Sequence, residues 1–287
     1  MIEETRFGDV TALWLSWPRS AWAGYGVHVF VVRNVMIDTG FPGVAPEMRY
    51  AVDRFRPYGA FLTHHHEDHA GNVQLLAERG VPIATDTETL ARVRKPGRIG
   101  LYRHFTWKAM RRLKSTLTPF EDDRLSLIPT PGHCSNHQVV WDEHTGTCFT
   151  GDLFLGVHVR VAHSYENPRE HVRSLRSVLV RNPARVFCAH RGHIENGVTM
   201  LQSKVDWMEE TIGVIEQRID DGQSDRHIQR ELLGPLGRTH FISAGDYSPV
   251  NLVTAIRKTR PNDSSRSATA NGSPSVSASP SAPRARQ

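Results

Sequence analysis

Short apolar runs and longer amphipathic stretches divide this chain into recognisable elements. Ala60-Phe61-Leu62-Thr63, Leu125-Ser126-Leu127-Ile128, Thr147-Cys148-Phe149 and Val186-Phe187-Cys188-Ala189 are brief and rich in β-formers, so each predicts a strand. Helical spacing appears elsewhere. Val73 to Arg79 reads as a helix, and Val205, Met208, Ile212, Ile215 and Ile219 fall mostly three or four apart, as one apolar helix face requires. Asp220-Asp221-Gly222-Gln223-Ser224 breaks that pattern and places Ser224 to cap a helix over Asp225 to Leu233. A further helix is predicted from Ser248 to Lys258, with Pro249 in its first turn. Between Phe105 and Ser115 a helical reading puts Lys108, Arg111, Arg112 and Ser115 on one face and Phe105, Ala109 and Leu113 on another.

The chemistry sits where the predicted strands end. Behind Ala60–Thr63 comes His64-His65-His66-Glu67-Asp68-His69, spaced H-x-H-x-D-H. Neutral imidazole nitrogens and ionised carboxylates are the ligands divalent metals prefer, and few other tasks explain so many within six residues. Residues two apart in an extended chain point to the same side, so His64 and His66 can meet at one ion, with Asp68 and His69 placed for a second beside it. Three more strand ends supply the same residue types: His133 after the Pro131-Gly132 turn, Asp152 after Gly151, and His190 after Ala189. In open sheets the C-terminal edge is where loops build binding sites.

Taken together these residues resemble the metallo-β-lactamase superfamily of dinuclear metallohydrolases. The likeness runs from about residue 25 to 197 and rests on His64-x-His66-x-Asp68-His69, the Pro-Gly-His133 turn, Gly-Asp152, the final His190, and Val35-Met36-Ile37-Asp38-Thr39-Gly40. It implies an α/β fold, a four-layer αββα sandwich with a small helical C-terminal appendage. A metallo-β-lactamase-like hydrolase domain is expected over 1–200, a helical appendage over 201–258 that caps the active-site mouth or mediates dimerisation, and a disordered tail over 259–287. The resemblance also implies one metal site from His64, His66 and His133, a second from Asp68, His69 and His190, and Asp152 bridging both. His190 is preferred to His193, which is expected to be a loop residue beside the pocket. Two divalent ions, zinc before iron or manganese, would give a metal-bound hydroxide at neutral pH. Asp68 then doubles as ligand and catalytic group that orients or deprotonates the water. Asp38 is a candidate acceptor behind a histidine ligand, while His65 and Glu67 receive no catalytic duty, Glu67 being at most part of the pocket rim.

Composition narrows partners and compartment. The chain has 287 residues, 39% of them hydrophobic, without an apolar run of membrane-spanning length or a signal-peptide layout, so a cytoplasmic protein without a membrane partner is expected. Cys134, Cys148 and Cys188 form no C-x-x-C pair and read as reduced, buried side chains. The Ser/Pro/Ala-rich tail holds Arg260, Arg266, Arg284 and Arg286 against Asp263, which leaves the remaining chain only +2 of the net +5. That weak charge argues against a nucleic-acid partner. Between Arg92 and Lys114, however, nine cations stand with no acid, and this segment reads either as a solvated helix face or as the grip on an anionic handle. The first expectation is therefore hydrolysis of a small-molecule thioester, ester or lactone. The alternative is a phosphodiesterase or endoribonuclease of the same superfamily. The segment after Asp152, Leu153 to Arg160, lacks the cysteine-glycine-arginine pattern of glyoxalase II, which speaks against glutathione thioesters.

Overall fold

A computed structural model describes residues 1–260 of the chain. Six strands form the first sheet in chain order: β1 (Ile2–Phe7), β2 (Val10–Leu15), β3 (Val27–Val32), β4 (Val35–Ile37), β5 (Gly59–Phe61) and β6 (Ile83–Ala84). The second sheet uses β7 (Leu125–Pro129), β8 (Gln138–Asp142) and β9 (Thr147–Phe149). It skips β10 (Ala162–His163) and continues with β11 (Arg185–Cys188) and β12 (Gly192–Ile194), in the order β12-β11-β9-β8-β7. A two-strand ribbon pairs β10 with β13 (Tyr247–Ser248). The helices are α1 (Pro18–Trp22), α2 (Ala45–Phe55), α3 (Val73–Glu78), α4 (Thr87–Arg94), α5 (Leu101–Trp107), α6 (Pro168–Val180), α7 (Gly197–Asp220), α8 (Asp225–Leu233), α9 (Arg238–Ile242) and α10 (Pro249–Lys258).

Three separate apolar clusters define four layers. Val10, Phe30, Val32, Ile37 and Phe61 of the first sheet meet Leu125, Val140, Phe149 and Phe187 of the second. The opposite face of the first sheet, through Leu13, Val29 and Met36, packs on Met48, Val52, Val73 and Leu76 from α2 and α3. The outer face of the second, through Val139, Cys148 and Val186, packs on Leu175 of α6 and on Leu201, Val205 and Ile212 of α7. The inner strands β2 to β5, β8, β9 and β11 therefore bury both faces, which is why they read as apolar runs rather than alternating ones, whereas β1 at the sheet edge is largely exposed. Burial of one such large apolar side chain stabilises by about 1.5–3 kcal/mol. The result is an αββα sandwich.

Most predicted elements stand where the pattern puts them, including the Ser224 cap, whose hydroxyl accepts from His227 N–H, and the Ser248 cap, which accepts from Val250 N–H. The basic helix over Phe105 to Ser115 does not form. The helix lies earlier and ends at Trp107, because Lys108 turns left-handed at φ +69°. Beyond it the chain runs irregularly: Leu113 enters the core and donates its N–H to Val93 O, and Lys114 N–H goes to Gln74 Oε1. Tertiary packing overrides the local periodicity there. The three cysteines are buried and free. The tail expected over 259–287 lies outside the described residues from 261 onward.

Candidate metal centre

Five strands end at one edge and bring the chemistry together. β4 and β5 run parallel with Ile37 opposite Phe61, so Asp38 emerges beside the start of the His64–His69 loop. β9 and β11 run parallel with Phe149 opposite Phe187, which sets Asp152 and His190 level, each three residues past the pair. Two glycines make these turns possible. Gly132, at φ +136°, has the His171 backbone where a Cβ would stand, 2.4 Å away, and Gly151, at φ +49°, leaves only 2.9 Å to His137 Nε2. A side chain at either position would displace the following His133 or Asp152.

The seven predicted residues converge in two groups that share Asp152. In the first, His64 Nε2 and His133 Nε2 lie 3.0 and 3.1 Å from His66 Nδ1, and Asp152 Oδ2 is 3.3 Å from His133 Nε2. In the second, Asp152 Oδ1 is 3.2 Å from His69 Nε2 and 3.3 Å from His190 Nε2, and Asp68 Oδ2 stands 3.4 Å from His190 Nε2. Tetrahedral nitrogen or oxygen ligands about 2.0–2.1 Å from an ion sit about 3.3 Å from each other, so these spacings suit a metal. Each imidazole is also held from behind at its other nitrogen. His69 Nδ1 meets Asp38 Oδ2 at 2.7 Å, His190 Nδ1 meets Gly26 O at 2.8 Å, and His66 Nε2 meets the Tyr165 hydroxyl at 3.1 Å. His64 Nδ1 lies 3.1 Å from Thr63 Oγ1, and His133 Nδ1 3.6 Å from Glu166 Oε1. The inner nitrogen of every ring is thereby left to the cluster.

Electrostatics points the same way. Burial, then neighbouring imidazoles, hold His64 and His66 well below the usual histidine range, so both are neutral with free lone pairs. Burial would lower His69 and His190 too, but Asp152 and its companion carboxylates outweigh it and raise both well above that range. Burial likewise opposes ionisation of Asp152, yet His69 and His190 keep it well below the carboxylate range. His69 Nε2 and Asp152 Oδ1 are buried without a hydrogen-bond partner although they face each other. Two orphaned polar atoms converging on one point suit a bound cation. A third grouping, His65, His66 and Cys134, is a poorer match: burial pushes the Cys134 thiol up, away from the thiolate that metals bind.

The model of the metallo-beta-lactamase superfamily matches residues 22–190, more than half of the chain. The chain belongs to that superfamily. It is similar to the beta-lactamase-like protein 2 homolog of Drosophila melanogaster, 29% identical over 182 residues that make up 59% of each chain. The homolog of that name in Caenorhabditis elegans is 23% identical over 61% of this chain and 57% of its own. The aligned part thus spans under three fifths of the length of either relative. Among solved structures, a metallo-beta-lactamase family protein from Thermus thermophilus superposes with a TM-score of 0.63 at 15% identity, covering 87% of this chain and 93% of its own. A metallo-beta-lactamase from Pontibacter korlensis gives 0.54 at 15% identity, over 73% and 99%. These likenesses establish the fold.

Around the superfamily's His/Asp cluster opens a cleft of about 880 Å³. His66, Asp68, His133, Asp152 and His190 line its floor, and Trp22, Tyr25, Phe105, Trp107 and Leu155 its walls. Arg103, Arg191 and Arg238 are its cations; Arg111 and Arg112 do not line it, which corrects their expected grip on a substrate. Glu67 is not at the rim either. It is buried beneath Arg103, which bonds both its carboxylate oxygens at 2.5 and 2.6 Å. His193 belongs to β12 rather than a loop, packs on Phe7 and Phe187, and borders a different groove. Sequence reasoning missed Tyr165 and Glu166, and also His137. Burial lowers the His137 pKa to about 3, so it is neutral; its Nδ1 lies by Thr130 O and its Nε2 accepts the Asp152 N–H at 3.1 Å. The His133–His137 spacing was visible, but nothing local said the second ring faces Asp152.

Proposed function

We propose that this protein is a metal-dependent hydrolase that cleaves a small-molecule thioester, ester or lactone bearing an anionic handle. His64, His66 and His133 would hold one divalent ion and Asp68, His69 and His190 a second, with Asp152 shared. Zinc suits this donor set best, with iron or manganese as alternatives. The observation that carries the reading is the division of Asp152, with Oδ1 facing His69 and His190 and Oδ2 facing His133. Bound ions of this kind lower the pKa of water and polarise a carbonyl or phosphoryl oxygen.

The chain's own groups supply the rest. Asp68 lies at the cleft floor, where it can orient the attacking water and accept its proton. Asp38, Thr63, Tyr165 and Glu166 keep the imidazoles turned inward. The aromatic walls exclude water from an apolar acyl part, and Arg191 and Arg238 offer the handle its charge partners. The C-terminal helices supply Arg238, Thr239 and Ile242 to the cleft, which supports their role as a cap over its mouth.

A phosphodiesterase is the second reading, favoured by the three arginines around the cleft. Metal analysis of purified protein, followed by a panel of thioesters, lactones, β-lactams and bis-aryl phosphodiesters, separates the two. Turnover of thioesters or lactones with inert phosphodiesters is expected. The reverse pattern establishes the phosphodiesterase, and a metal-free protein inert on every substrate after metal loading refutes both.

A further inference from the structure

Three short helices from distant parts of the chain, α1, α5 and α9, meet around the entrance of the metal cleft. They carry exposed apolar side chains that the core does not need. Trp22 is 73% exposed, Leu101 88% and Ile242 56%, and all three line the cleft, with Phe241 at 69% next to Ile242. The helices are tied into one surface. Trp22 packs edge-on against Phe105, Trp17 Nε1 donates to Thr106 O at 2.5 Å, and the Tyr102 hydroxyl donates to Asp246 Oδ2 at 2.8 Å. Large apolar groups gathered at one place on a surface mark a contact site.

The same segments carry positive charge and no negative charge, most densely between 89 and 120. Residues 16–26, 89–120 and 234–245 contain no aspartate or glutamate. Arg92 is paired with Glu88 and Arg103 with Glu67, whereas Arg19, Lys108 and Arg238 hold exposed charge in or directly after these helices. Arg19 lies over the Trp17 and Phe105 rings and Lys108 over Trp17, so cation and apolar surface are interleaved. A single-stranded nucleic acid would use the cations and rings but would leave the aliphatic Leu101 and Ile242 in water. Acyl chains and anionic headgroups match every part of the surface at once. We propose that the cleft mouth docks on an anionic lipid surface, with the apolar rim at the headgroup boundary and the metal cleft opening onto the layer. This is peripheral contact: no helix among the described residues is long and apolar enough to cross a membrane.

The test uses the full chain and vesicles of phosphatidylcholine with or without phosphatidylglycerol. Co-sedimentation is expected with the anionic vesicles and should decline as salt rises. Trp22→Ser/Leu101→Ser/Ile242→Ser should weaken partitioning about ten-fold or more. Asp68→Ala should bind like the unaltered protein, which keeps this outcome separate from the hydrolase reading. In a second measurement, brominated lipid should quench tryptophan fluorescence in the unaltered chain and much less in Trp22→Phe. Failure to sediment with anionic vesicles, undiminished binding by the triple variant, undiminished quenching in Trp22→Phe, or binding of an RNA oligomer without vesicle binding each overturns the proposal.

Discussion

Around His64, His66 and His133 the metal centre is built mainly from imidazoles, of which His64 and His66 are held neutral, backed by the Thr63 and Tyr165 hydroxyls and by Glu166. Around His69 and His190 the proportions reverse, and three carboxylates, Asp38, Asp68 and Asp152, surround two imidazoles. One half offers lone pairs and the other concentrates negative charge. The first therefore depends on ring orientation, and the second on its acids. Only Asp152 belongs to both.

That contrast orders the consequences of substitution. Asp152→Ala should be the most damaging: turnover falls roughly three orders of magnitude or more, and metal content drops from about two ions per chain to below one. Loss of a single ion would instead place Asp152 in one half alone. Asp68→Ala should also abolish turnover while about one ion per chain remains, because it removes a ligand from the acid-rich half and the group that orients water. Retention of both ions would take Asp68 out of the ligand set. Asp38→Ala touches only His69 Nδ1 and the Thr63 backbone and hydroxyl, so metal affinity should fall about 10–100-fold, mostly for one of two ions resolved by titration calorimetry. An equal effect on both ions would erase the distinction between the halves.

The smallest effects lie outside both groups. His65 sits within the motif but bonds Asn136 Oδ1 at 2.9 Å instead of facing the cluster, so His65→Ala should keep turnover within about three-fold. Arg111→Ala/Arg112→Ala should leave KM for a soluble anionic substrate within about two-fold, since both arginines are exposed and off the cleft. A KM rise that shrinks with salt would return the handle to that segment.

The residues that converge in the cluster were legible because their chemistry is local. H-x-H-x-D-H puts four of them in one loop, and His133, Asp152 and His190 each follow an apolar strand, where a reader of strand ends looks first. Asp38 was found through the family resemblance of Val35 to Gly40. The walls obey no such rule. Trp22, Phe105 and Ile242 come from three helices far apart in the chain, and only tertiary packing makes them neighbours. The Phe105–Ser115 periodicity misled because Leu113 is buried by an irregular chain whose N–H groups find partners at Val93 and Gln74. The Asn167-Pro168 start of α6, with Asn167 accepting from Arg169 and Glu170 N–H, is a local cap signal that was there to be read.

The ribbon of β10 and β13 joins His163 to Tyr247, and His163 stacks on Tyr165, which stands against His66. A segment trimmed to residues 22–190 would keep all seven cluster residues, yet it would lose β13 together with Trp14, Arg238, Ile242 and Tyr247 from the cleft wall. The middle of the chain thus supplies the whole floor and part of the wall, and the two ends complete that wall. Exchanging Arg238, Ile242 or Tyr247 should change which molecule is admitted long before it changes what is done to it.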